Sequence, residues 1–296
     1  MRTVRHWTGR EVRALRAAMR MSIRDFAAHL GVSDRMVSKW EAAGEHISPR
    51  PVNQAALDTA LRRSSPEVRE RFADFMSTPP LLDGAGEAES PIIRHPVDGK
   101  RMALVPGGPF RAGLDAEPDW LPTFYIDIYP TTNAEYGRFV AETGHRPPAH
   151  WTDDGWPPER ASHPVVLVSW HDAKAYAEWA GKSLPTGEQW EKAARGQFGD
   201  QFPWGDRPLP DRCNVWESGI GGTVPVGRYV RGASPYGIYD LCGNVWEWCA
   251  TQRTPGRFER RGGSFATPLS QCLPALSADS PAGYRADDTG FRCVMG

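Results

Sequence analysis

Three sets of side chains in this chain of 296 residues have the types and spacing to do chemistry. The first is sulfur. Cys213, Cys242, Cys249, Cys272 and Cys293 all fall in the last third, an odd number without a CxxC or a Cys/His zinc spacing. In a reducing compartment they read as buried thiols, and disulfides would require an oxidising one. Cys272 closes the Gly/Ser-rich stretch GGSFATPLSQC, so its thiol either reacts or packs. No His, Lys or Arg adjoins it to stabilise a thiolate, so packing is expected and a redox sensor is the alternative. The second set is imidazole. His145, His150, His163 and His171 cluster in sequence but lack an HxxxH or His/carboxylate pattern, and read as surface or core histidines. The third is a run of polar side chains, Ser33, Asp34, Arg35, Ser38 and Lys39, able to reach base edges or phosphates. No Ser/His/Asp order, phosphate loop or dinucleotide glycine pattern appears.

The third set needs a helix to present it. Val12, Leu15, Ala18 and Met19 share one face of a helix over Gly9–Arg20. Ser22 caps a second, with Asp25 three residues on and Phe26, Ala27 and Leu30 turned inward. HLGVS breaks it, with Gly31 free to adopt positive φ. Ser33 then caps a third, DRMVSKWE, whose Met36, Val37 and Trp40 pack on the second. RPVNQAALDTALRR is a later helix with Pro51 near its start. A helix, a Gly-containing turn and a short capped helix form a helix-turn-helix; the alternative is a plain bundle using GVS as a connector. Charge favours the former. Residues 1–76 hold 14 Lys and Arg against 9 Asp and Glu, whereas residues 92–296 hold 21 against 24, so only the first part suits a polyanion.

These residues, MSIRDFAAHLGVSDRMVSKWEAAG, resemble the XRE-type helix-turn-helix family of phage repressors and bacterial regulators, over about residues 9–62. The resemblance implies a compact all-α, five-helix domain that binds double-stranded DNA, with Arg35 and Lys39 as base readers. Asp34 would accept from a cytosine amino group. It also implies a structural pair between Arg16 and Glu41, and a homodimer on two half-sites.

Composition changes at STPPLLDGAGEAESP, rich in Pro, Gly and acids, which reads as a linker. The organisation is therefore 1–76 helical, 77–91 linker and 92–296 a larger module of short strand-like runs, turns and most of the tryptophans. Four stretches mark that module: LVSWHDAKAYAEWAGKSLPTGEQWEKAARG, with Thr186 capping its second helix; the aromatic turn FPWGD; PYGIYDLCGNVWEWC, leading into a Trp-rich strand; and RRGGSF…GYRADDTGFRC. Together and in this order they resemble the formylglycine-generating enzyme (sulfatase-modifying factor) family, from about Pro91 to Gly296. That implies an α+β, C-type-lectin-like fold with little regular secondary structure. It implies one structural Ca²⁺ at Asp240, Gly243, Val245 and Glu247, and a second at Asn214, Val215, Ser218 and Ile220, where Ser218 replaces an acidic ligand. Metal-free turns are the alternative at both.

Family oxidases hold Cu(I) between two cysteines, three and eight residues after the Ser of GGS. Here those places after Ser264 are Thr267 and Cys272. A threonine hydroxyl is hard and protonated at neutral pH and cannot stand in for a thiolate, so copper and formylglycine-generating oxidase activity are not expected. The iron-dependent sulfoxide synthases that are also related take their histidines largely from a separate helical domain missing here. No run of about 18 apolar residues occurs, and the N-terminus lacks a secretory pattern, so a cytoplasmic protein without a membrane span is expected. The reading is a DNA-binding regulator whose second module senses a small-molecule or protein ligand. Its surface would lie around Ser264–Cys272 and Tyr284–Asp288, with Trp246, Trp248, Ser264, Tyr284 and Arg285 as contacts. The alternatives are a divergent metal-dependent oxidase carrying a DNA-binding domain, and a protein-recognition module in a signalling or defence assembly.

Overall fold

The structure, a computed structural model, describes residues 6–19, 21–42, 48–77, 91–152 and 155–296. The chain divides into two compact units, Met1–Gly84 and Ala85–Gly296. Most of the stretch read as a linker lies outside the described residues.

The first unit places five helices among its described residues: α1 (Gly9–Ala18), α2 (Ile23–Leu30), α3 (Asp34–Ala42), α4 (Pro51–Arg63) and α5 (Pro66–Ser77). Their starts follow from local side chains. Thr8 and Glu11 form a capping box on α1. Ser22 accepts from the Asp25 backbone N–H at the start of α2, and Pro51 sits at the first turn of α4, where its missing N–H has no intrahelical partner to lose. Gly31 ends α2 at φ 70°, a conformation that side chains with a Cβ resist. Val12, Leu15, Ala18, Phe26, Ala27, Val37, Trp40 and Leu57 are buried. Met19, Leu30 and Met36 depart from the expected core: the first two are half-buried, and Met36 is 39% exposed. Met36 stands about 100° round the helix from Val37 and about 40° from Trp40, at the edge of the buried stripe. Arg16 and Glu41 form a two-pronged buried ion pair, Nε to Oε1 at 2.8 Å and Nη2 to Oε2 at 3.0 Å, which ties α1 to α3.

The second unit is α+β. Strands β1 (Ile92–Arg94), β2 (Arg101–Val105), β5 (Phe124–Asp127) and β10 (Val294–Met295) form an antiparallel sheet in that order, so the last strand closes against the first part of the unit. β3 (Gly108–Ala112) and β4 (Glu117–Leu121) form a hairpin. A further sheet runs β8 (Ser277–Pro281), β7 (Arg257–Arg261), β6 (Trp246–Thr254), β9 (Thr289–Gly290), with β6 and β9 parallel. Helices α6 (Asn133–Thr143), α7 (Trp170–Trp179) and α8 (Gly187–Arg195) complete the frame, and Thr186 caps α8 in a capping box with Gln189. Much of the aromatic content is core: Tyr136, Tyr176, Trp190, Trp248 and Phe291 have no exposed surface. Lys182 is a buried charge that is paired. Lys182 Nζ lies 2.6 Å from Asp98 and 2.8 Å from Asp127, as a lysine removed from water requires.

Candidate functional site

In the first unit, Ser33, Asp34, Arg35, Ser38 and Lys39 are all exposed, while Val37 and Trp40 hold the opposite face of α3 inward. The Ser33 hydroxyl accepts from the Met36 N–H at 3.3 Å, so the expected cap is present. Asp34 and Ser38 are partly committed locally. Asp34 Oδ1 accepts from the Arg35 N–H at 2.7 Å, and the Ser38 hydroxyl donates to the Asp34 carbonyl at 2.9 Å. Arg35 and Lys39 are the long cationic side chains of this face.

In the second unit the GGS loop is built around two positive-φ glycines, Gly262 at 94° and Gly263 at 72°. A Cβ on Gly263 would lie 2.3 Å from Cys272 Sγ, so the sulfur fills the space that glycine leaves. Ser264 and Thr267 close the turn. The Ser264 N–H donates to Thr267 Oγ1 at 3.1 Å, the two hydroxyls share a 3.1 Å hydrogen bond, and the Thr267 N–H returns to the Ser264 carbonyl at 3.0 Å. The Thr267 hydroxyl is thus part of the turn. Cys272 is fully buried and its thiol lies 3.6 Å from the Thr267 carbonyl.

Cys272 packs with Cys213 and Cys242 in one apolar cluster. Burial pushes the Cys242 thiol well up, and its contacts with the Cys213 and Cys272 thiols push it further. The Asn214–Gly243 bridge brings the first two together. All five cysteines are buried free thiols. One sulfur and one hydroxyl at Cys272 and Thr267 do not make the two-thiolate donor set that Cu(I) favours.

The two loops read as a ligand surface do meet. The Ser264 hydroxyl donates to Asp288 Oδ2 at 3.0 Å, and the Trp246 N–H to the Asp288 carbonyl at 2.8 Å. Their members differ in exposure. Ser264 and Trp248 are fully buried, and the Trp248 indole N–H donates to the Val168 carbonyl at 3.0 Å. These two therefore form the wall and offer no free face to a ligand. Trp246 is half-buried and Tyr284 is 40% exposed. Between them lies Arg260, absent from the residues singled out in the sequence. Its guanidinium is 4.8 Å from the Tyr284 ring and 5.5 Å from the Trp246 ring. A second unanticipated residue is Trp216, 67% exposed, whose N–H donates to the Thr267 carbonyl at 3.0 Å. Arg285 turns elsewhere, donating to Asp172 Oδ2 from Nε at 3.1 Å and Nη2 at 2.8 Å.

Of the residues expected to hold calcium, Asp240 has positive φ, 58°, and accepts from the Gly227 N–H at 2.7 Å. Burial lifts its carboxyl to about 6. Glu247 is fully buried. Arg292 grips both its oxygens at 2.7 Å and the Trp190 indole adds a bond at 2.8 Å, so a cation there would share Glu247 with an arginine. Gly243 and Val245 are buried beside them. In the other set, the Ser218 hydroxyl lies within hydrogen-bonding distance of Asn214 Oδ1 (3.0 Å) and the Val215 carbonyl (2.7 Å), while Ile220 is 42% exposed. Ser218 already engages oxygens that a hard cation would need, so that set fits calcium poorly. The histidines disperse: His145 Nε2 meets Asp172 Oδ1 at 3.0 Å, His163 Nδ1 meets Thr223 at 2.9 Å, and His171 is exposed. Among the described residues no three His, Cys, Asp or Glu side chains converge in a metal-holding group.

Residues 90–296 match the sulfatase-modifying factor enzyme 1-like domain, and the chain belongs to that family. It is 32% identical to the formylglycine-generating enzyme of Thermomonospora curvata, over 66% of this chain and 93% of that one. It is also 32% identical to the inactive C-alpha-formylglycine-generating enzyme 2 of Bos taurus, over 66% and 88%. The structure of PvdO from Pseudomonas aeruginosa superposes with a TM-score of 0.57 at 22% identity, covering 70% of this chain and 99% of that one, a likeness of fold alone.

Proposed function

We propose that the protein is a DNA-binding regulator whose family domain binds a ligand or partner instead of oxidising cysteine. The single observation that carries the second half is Thr267. Its hydroxyl is built into the Ser264 turn at the place where the resemblance puts a copper cysteine. A family member whose name marks it as inactive supports the view that the domain persists without oxidase chemistry. The expected test is Cu(I) titration by competition with a chelator, together with oxygen uptake on a cysteine-containing peptide. The native chain should not consume oxygen and should take no copper at the Thr267–Cys272 position, a titration repeated with Cys213→Ser and Cys242→Ser because those thiols lie against Cys272. Thr267→Cys should gain Cu(I) affinity in that background, because it returns the sulfur at the first family position. Turnover by the native chain would end this reading.

The first half rests on α2, the Gly31 turn and α3, read as a helix-turn-helix. Arg35 and Lys39 stand on the exposed face, and Arg16–Glu41 fixes α3 from behind. Long cationic side chains there suit guanine edges and phosphates. Pairing as a homodimer would double the neutralised phosphates that one small unit offers. The ligand surface would present the exposed Trp216 and Tyr284, with the half-buried Trp246 and Arg260 beside Tyr284. Calcium at the Asp240–Glu247 segment, which the family resemblance implies, would be held by Asp240 and backbone oxygens, since Arg292 and Trp190 engage Glu247. A calcium-dependent rise in Tm, lost in Asp240→Asn, checks it.

A further inference from the structure

A cavity of about 80 Å³ in the second unit plays no part in the surface just described. It is lined by Tyr136 of α6, by Arg146 and Pro147 just after that helix, by Leu167, by Asp172 of α7 and by Arg285. Tyr136 is fully buried, yet its hydroxyl has no hydrogen-bond partner. A buried donor left unpaired costs free energy, so it marks a place built to meet something else. Burial and the nearby Asp172 charge push its pKa up, so the hydroxyl keeps its proton and can donate.

The charges around it fix the kind of guest. Asp172 is spoken for: Oδ1 takes His145, and Oδ2 takes the Ser169 N–H at 2.8 Å, the Ser169 hydroxyl at 2.6 Å and Arg285. Burial alone would raise its carboxyl, but these donors hold it below the usual range. Its role is to aim Arg285. The Arg285 side chain nevertheless remains 46% exposed, and Arg146 is exposed. One guanidinium held beside a committed carboxylate, a second arginine in the lining and a phenol donor in the wall select an anion of single charge. The volume corresponds to two or three waters, which admits a carboxylate and one or two carbons. Leu167 adds an apolar wall. Its backbone is held at φ 60° by an N–H bond to the Ala286 carbonyl at 2.9 Å, the strained geometry that concentrates at ligand sites.

We propose that this cavity binds a carboxylate group, its oxygens taken by Arg285, Arg146 and the Tyr136 hydroxyl, its carbon stem against Leu167 and Pro147. The inference rests on the reading of the second unit as a ligand-binding body and names the chemistry it takes. The carboxylate has two possible sources, a free small acid or the C-terminus of a peptide.

Calorimetric titration of the full chain with acetate, propionate, triglycine and the matching amides tests it. Saturable binding of the carboxylates at millimolar concentration or tighter is expected, with none for the amides. Propionate above triglycine indicates a free acid, and the reverse a chain terminus; either supports the site. Tyr136→Phe should weaken binding about tenfold, as loss of one hydrogen bond to a charge does, while Tm stays level or rises because an unpaired hydroxyl is gone. Arg146→Gln should weaken binding similarly. Equal affinity for amides, unchanged affinity in both variants, or a Tm loss in Tyr136→Phe without a change in binding would overturn the proposal. A gel shift of the full chain on the DNA upstream of its own gene, with and without the carboxylate, is a separate readout. An unchanged operator affinity would count against the sensor reading while the calorimetric site stood.

Discussion

Gly263 holds a φ of 72° and leaves room for a sulfur where any Cβ would sit 2.3 Å from Cys272 Sγ. Gly263→Ala combines backbone strain with a clash against a buried side chain, and should cost about 2–4 kcal/mol by urea denaturation. In the same native protein the five thiols should react only slowly with an aromatic disulfide reagent, and all five on unfolding, because each is buried. The packed fate of Cys272 was legible from its uncharged neighbours in sequence. Its company was not. Cys213 and Cys242 reach it through the Asn214–Gly243 bridge, a long-range pairing that no local pattern announces. Trp248 misled for a related reason. A tryptophan pair on a strand reads alike whether a face is wet or dry, and only the sheet's packing buried this one while leaving Trp246 half-open.

Helix starts were legible wherever a capping residue stood, as at Ser22, Ser33 and Thr186. Helix α6 carries the same signal, a Thr132–Glu135 capping box and a Gly144 end at φ 70°, and could have been found by it; missing it hid Tyr136. The Arg16–Glu41 pair, implied by the repressor resemblance, forms with side chains only 6% and 7% exposed. Arg16→Ala should therefore destabilise the first unit by about 3–5 kcal/mol, since it strands a buried carboxylate. Thermal melting followed by circular dichroism checks this. The second unit has its own pH signature. Burial lowers the pKa of His95, His150 and His163. The unfolded chain, with histidines near 6.5, then binds more protons than the folded one as pH falls. The histidine contribution is full above about 6.5 and is lost below it as protons are taken up, while Asp240, raised to about 6, contributes with the opposite sign below about 6. In an Asp240→Asn background, denaturant midpoints between pH 7.5 and 5 should fall, and a flat profile there would contradict the lowered values.

At the scale of the molecule, the change from helical to strand-like composition told of two parts. The two compact units part at Gly84 and Ala85, within the acidic, Pro/Gly-rich stretch. The family of the larger unit was readable because its motifs are long and ordered. What its surface binds was not, since that depends on which aromatics and arginines the loops leave exposed. No helix among the described residues is long and apolar enough to cross a membrane. In the proposed function a DNA-reading head is joined to a binding body, and the α3 face recognises sequence. The most direct measurement is a gel shift of the full chain on the DNA upstream of its own gene, against scrambled DNA, at several salt concentrations. Specific retardation is expected; Arg35→Ala with Lys39→Ala should abolish it, leaving residual non-specific binding with a shallower salt dependence from the lost phosphate contacts. Weak binding, equal on both DNAs and unchanged in the double variant, would contradict it.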